Sequence, residues 1–196
     1  MAIDLLPMNR LRQFLLIVSV LALSWYGMMA VHELGHVAGA KLTGGTIVTV
    51  VLHPLTISRT DVSPNPHPAI VVWLGPVIGI VLPLVVFLLV PRRNVYARNL
   101  ARFFASFCFI ANGAYISFGS FDRVGDCGEM LRTGTPFWVM IAFGAATIPI
   151  GLYLWHRLGS VKNFLGKPNL VTWRATLAIA ISLVVVIAVE LLISPK

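Results

Sequence analysis

The sequence predicts an all-α polytopic membrane protein, with about five transmembrane helices and a short β-hairpin or loop insertion after the first. Three observations carry this. The 196 residues are 58% hydrophobic and only 11% charged, with a mean hydropathy of +0.87. Charge-free apolar runs of about twenty residues, the length that crosses a bilayer as helix, recur along the chain. One interruption between them is β-branched rather than helical in pattern.

The first run is Phe14–Val31, expected to continue as helix to about Lys41. Arg10 and Arg12 before it resemble the basic start of a signal peptide, but cleavage near Ala30 would strip the chemistry described below of its helix, so an uncut span is expected. Gly35 and Gly39 form a small-xxx-small pair that admits a second helix backbone at close range. Next, Gly44–Leu52 follows a Gly-Gly turn and reads as strand, and Ser63–Pro68 as a stiff polar loop. The remaining spans are Ala69–Val90, Phe103–Phe121, about Phe137–Trp155 and about Ala175–Ile193. Prolines and glycines inside them (Gly75-Pro76, Pro83, Gly113, Pro149) are tolerated in membrane helices.

Composition bounds the function. The net charge of +8 comes without aromatic-basic interleaving, so it argues for contact with the lipid bilayer and against nucleic acid. With five spans, the N-terminal side collects Arg10, Arg12, Arg92, Arg93, Arg98, Arg102, Arg157, Lys162, Lys167 and Arg174. The opposite side collects Lys41, Arg59, Arg123, Arg132 and Lys196. The positive-inside rule then predicts a multi-pass protein with a cytoplasmic N-terminus. Two cysteines, Cys108 and Cys127, make no disulfide framework; Cys127 is a minor candidate for metal contact.

The chemistry lies in His32-Glu33-Leu34-Gly35-His36, at the end of the first span. One helical turn separates the histidines, so both imidazoles can reach one catalytic zinc ion, and Glu33 beside them can act as general base. An ionisable residue within a span costs ~2.5–3.5 kcal/mol on insertion scales, so three together call for a compensating role. A catalytic zinc takes three protein ligands and keeps one position open. Asp122, Asp126 and Glu129 follow the third span, on the side of the motif. Asp126, flanked by Gly125 and Gly128, is favoured over Asp122, with Glu129 behind both; a bent loop would turn its carboxylate back toward the membrane. Asp4 and Asp61 lie in flanking polar segments, and Glu190 ends the last span, within reach of the interface. His53 and His67 read as ordinary loop residues.

At this point the chain resembles the site-2 protease family of intramembrane zinc metalloproteases. The resemblance rests on the motif at the end of a span, Gly75-Pro76 opening the next, and an aspartate after the span bearing Asn112. It covers the core at about 11–135 of what is expected, from length and composition, to be a single membrane-embedded metalloprotease domain of residues 1–196, whose accessory spans at about 137–193 carry no matching motif. It implies that His32, His36 and Asp126 hold the zinc and that Asn112 helps hold the substrate backbone. The implied activity is a zinc metalloendopeptidase that hydrolyses a peptide bond within or near a transmembrane segment of a membrane-protein substrate, using water that the metal activates and Glu33 as general base. A regulatory membrane partner is a further expectation. The alternative is a catalytically inactive pseudoprotease of the same fold, an adaptor that binds membrane helices. The chain departs from the family pattern in two places: no proline stands between Asn112 and Asp126, and Gly79 stands where an asparagine often follows the Gly-Pro.

Overall fold

The computed structural model describes residues 5–53, 57–159 and 172–193. Asp4, Lys162, Lys167 and Lys196 lie outside them. Helix α1, Leu5–Thr43, runs for 39 residues through the whole His-Glu motif. Gly44 stops it at φ +77°, where a side chain would be strained. Gly45 N–H then reaches back to the Ala40 carbonyl at 2.7 Å, the long bond of a Schellman cap. An antiparallel hairpin of β1, Ile47–Val51, and β2, Arg59–Val62, follows, with a register shift between Ile47 and Thr49. The predicted strand is therefore present but shorter than Gly44–Leu52.

Helix α2, Pro68–Leu89, opens with proline at its first turn, where no backbone N–H is missed, and carries Pro76 and Pro83 inside. Helix α3, Val95–Asp122, is capped by Asn94, whose Oδ1 accepts from Ala97 N–H at 3.1 Å. It ends at Arg123, which is left-handed at φ 57°, and Gly125 at φ 59° completes a tight corner. An eight-residue helix α4, Gly125–Arg132, then returns along α3. Helices α5, Phe137–His156, and α6, Trp173–Ile193, are the remaining helices among the described residues.

Among the described residues, four of the six helices are long and apolar enough to cross a membrane: Arg10–Thr43, Pro68–Leu89, Val95–Asp122 and Phe137–His156. The fifth expected span falls on α6, where the apolar helix over Thr176–Leu192 is shorter than these. Glu190, expected to reach for the interface, is instead 6% exposed.

Close helix contacts set the architecture. A Cβ on Gly35 would lie 2.7 Å from Gly75 Cα, and one on Gly39 would lie 2.9 Å from Val71 Cα. The small pair thus brings the backbone of α2 against α1, as its spacing predicts. Ascending residues on α1 meet descending ones on α2, so the helices are antiparallel. The same inversion relates α2 to α3, with Arg98 Nη1 donating to the Phe87 carbonyl at 3.4 Å near one end and Gly79 against Asn112 further along. Helix α4 is seated by a buried cluster of Val72, Ile116, Cys127, Met130 and Met140, drawn from four helices.

Candidate metal centre

His32 and His36 sit one turn apart on α1, their ring centroids 4.8 Å apart. Both are buried, as is Glu33 at 2% exposure. At a rise of 1.5 Å per residue, they lie roughly 10–17 Å below the hairpin end of α1, which is Thr43. A carboxylate can meet them there only if the chain beyond α3 turns back into the bundle. The Arg123–Gly125 corner does this, and α4 carries Asp126 in its first turn. The expected bent loop is thus a helix, since the glycines shape the corner and the packing while the backbone between them stays helical. Gly128 N–H bonds back to the Val124 carbonyl, and a Cβ on Gly128 would meet the Arg123 carbonyl carbon at 3.1 Å.

Asp126 Oδ2 stands 2.7 Å from His32 Nε2 and 3.3 Å from His36 Nε2. The three donor atoms all lie within 4.8 Å of one another, the one such group among the described residues. Donors held ~2.0–2.1 Å from a tetrahedral zinc lie roughly 3.3 Å apart, so the spacing suits a metal. The outer hydrogen bonds suit it better still. His32 Nδ1 meets Asn112 Oδ1 at 2.7 Å, and His36 Nδ1 meets the Val71 carbonyl at 2.9 Å. Both of these oxygens can only accept, so both Nδ1 atoms carry hydrogen. Two neutral rings would present Nε2 lone pairs to a carboxylate oxygen, an approach that either a bound cation or a proton shared with a ring would satisfy. Burial alone would raise the Asp126 pKa. The two imidazoles hydrogen-bonded to it outweigh that and hold it well below the usual carboxylate range.

Two residues that sequence reading missed complete the site. The Tyr115 hydroxyl accepts from Asp126 N–H at 3.2 Å, satisfying one of the free donors at the start of α4. Tyr115 is three residues from Asn112, so the face of α3 that reaches His32 could have named it. Thr60 of β2 donates its hydroxyl to Glu33 Oε2 at 2.7 Å. That contact spans two elements, and no local pattern announces it.

The other expected residues separate clearly. Asp122 is exposed at the end of α3, and Glu129 pairs with Arg132 at 2.6 Å. Cys127 turns away from the centre, with Sγ donating to the Tyr115 carbonyl at 3.4 Å. Burial pushes its thiol up to about 12. His53 and His67 are outside the donor group. Asn112, for which the resemblance implies a substrate contact, spends both ends of its amide inside the protein: Oδ1 on His32, and Nδ2 on the Cys108 carbonyl at 3.0 Å.

Two of the three donors, His36 and Asp126, line a cavity of about 550 Å³ between the hairpin and α4, with Thr60, Asp61, Asn65 and Glu129. The centre is therefore buried on the helix side and reachable by water and polar groups from the hairpin side. Compared with family models, curated proteins and solved structures, the chain matches none.

Proposed function

We propose that this protein is an intramembrane zinc metalloprotease of the site-2 protease kind. It would hydrolyse a peptide bond within or near a transmembrane segment of a membrane-protein substrate. The observation that carries the reading is the meeting of His32, His36 and Asp126 beside a buried Glu33, within an apolar helix and with His36 and Asp126 lining a cavity. These three residues would hold one zinc ion. When bound, zinc supplies Lewis acidity, lowering the pKa of water toward ~7 and polarising a carbonyl.

The chain's own residues do the rest. Glu33 accepts the proton of the attacking water and hands it to the leaving amine. The water oxygen joins the carbonyl carbon, the C–N bond breaks, and a carboxylic acid and an amine leave. Thr60 holds the Glu33 carboxylate in one orientation through its hydroxyl. A helical substrate keeps its amides hydrogen-bonded internally, so it must unwind before it can be cut. The cavity offers an extended segment the outer edge of β2, whose other edge is taken by β1.

The test is zinc content and cleavage by wild type and Glu33→Gln, purified in mild detergent. The probe is a panel of single-span segments carrying mid-span glycine or proline. Glu33→Gln is expected to keep one zinc and to lose roughly 10²–10⁴-fold in cleavage rate. Full activity in that variant would sink the mechanism. The adaptor reading has one observation in its favour, the closure of Glu33 behind the hairpin. Zinc bound with no turnover of any segment would support it.

A further inference from the structure

The two histidines are oriented by acceptors of different kinds. His36 uses a main-chain carbonyl, that of Val71, which no substitution removes. His32 uses a side chain, Asn112. An imidazole can face the centre with either ring nitrogen, and the bond made by the other nitrogen decides which one.

The Asn112 amide is itself fixed in two ways. Its Nδ2 donates to the carbonyl of Cys108, one turn earlier on α3, so Oδ1 must face the ring. The backbone of α2 passes directly over it at Gly79, where a Cβ would lie 2.9 Å from Oδ1 and 3.0 Å from Nδ2. At 1% exposure the amide, including its second Nδ2 hydrogen, is closed off from a substrate.

We infer that Asn112 is a positioning residue of the metal centre, which sets the tautomer and aim of His32 and hence the affinity for the ion, and that Gly79 is the space that lets it do so. The inference rests on the metal-centre reading and replaces the substrate role implied for Asn112. It also gives the absent asparagine at position 79 a physical reason, because any side chain there would displace the amide. A neutral amide supports the ring without placing a third carboxylate beside Asp126 and Glu33, so less negative charge gathers at the ion.

The experiment measures zinc affinity of the full chain in detergent by competition with a chromophoric chelator, together with the visible spectrum of the cobalt form. The variants are Asn112→Leu, Asn112→Asp, Gly79→Ala and Gly151→Ala. Loss of an outer partner weakens metal binding by ~10–100-fold, and this is expected of Asn112→Leu and Gly79→Ala, with a shifted cobalt band. Asn112→Asp restores an acceptor and is expected to bind within a few-fold of wild type. Gly151→Ala overpacks the α3–α5 contact, where its Cβ would lie 2.7 Å from Ile110 Cγ1, and is expected to bind as wild type. Wild-type affinity and spectrum in both Asn112→Leu and Gly79→Ala would overturn the inference. So would an Asn112→Asp variant as weak as Asn112→Leu, which would make packing rather than acceptance the cause. If Asn112→Leu does not fold, Gly79→Ala carries the test. A wild type that takes no zinc or cobalt removes the centre itself and the inference with it, an outcome distinct from tight binding shared by all variants.

Discussion

Asp126 is the residue on which the centre closes, because the histidines come from one helix and only Asp126 comes from elsewhere. Asp126→Ala is expected to abolish zinc binding, while Asp122→Ala, which changes an exposed side chain four residues away, is expected to keep one zinc per chain; elemental analysis of purified protein reads both. The reverse result would move the third ligand to Asp122. Tyr115→Phe removes the hydroxyl that accepts from Asp126 N–H and leaves a helix-start donor unpaired. The cost is about 1 kcal/mol, read as a roughly five-fold weaker zinc affinity. The histidine pair was legible from spacing alone, since one helical turn dictates a shared face. Asp126 was favoured among three carboxylates by its flanking glycines, but the left-handed corner at Arg123 that turns it inward carried no sequence signal. Thr60 was beyond sequence reading, since its contact depends on how the hairpin lies over α1.

Among the elements, α4 is the least independent. Eight residues are too few for a stable helix in isolation, so it exists by virtue of its seat on α2, α3 and α5. Cys127 reports on that seat. It is fully buried, Gly119 makes room for its Sγ, and burial raises its pKa to about 12. A raised thiol pKa keeps the reactive thiolate scarce below that value, so sequestration and protonation act together at pH 8. Neither Cys127 nor the equally buried Cys108 is expected to react with a maleimide at pH 8 until the protein is denatured, when both should label; mass spectrometry counts the adducts. Labelling of Cys127 alone in the folded protein would show that α4 undocks. The long apolar helices were readable to within a few residues wherever their runs were uncharged. Helix α3 began earlier than its apolar run, at Val95 rather than Phe103, because the Asn94 cap fixes the start and Arg98 and Arg102 lie over the Phe87 ring. Helix α4 could not be read, since two glycines and a mixed polar pattern describe a loop equally well.

For the molecule as a whole, the antiparallel order of α1, α2 and α3 puts the hairpin and α4 at one end and the turn between α2 and α3 at the other. The 22 residues of α2 separate these ends by ~33 Å, about one hydrocarbon thickness. Arg92, Arg93, Arg98, Arg102 and Arg157 gather near the α2–α3 end, and Arg102 Nη1 donates to the Arg157 carbonyl at 2.7 Å. The positive-inside rule predicts that this end is cytoplasmic and that the cavity beside Asp126 opens to the other side. Because both native cysteines are buried, single cysteines introduced at exposed positions report sidedness without a background. Leu42, 79% exposed at the end of α1, and Val95, 57% exposed at the start of α3, mark the two ends. In sealed vesicles of cytoplasmic-side-in orientation, an impermeant thiol reagent is expected to label Leu42→Cys and to spare Val95→Cys until the membrane is opened. The opposite pattern would mean that the ten basic residues counted toward the cytoplasm misplace it, and that extended substrate segments reach Asp126 from the cytosol. Labelling of both in intact vesicles would deny that α2 crosses the bilayer, and with it the placement of the cavity within a membrane.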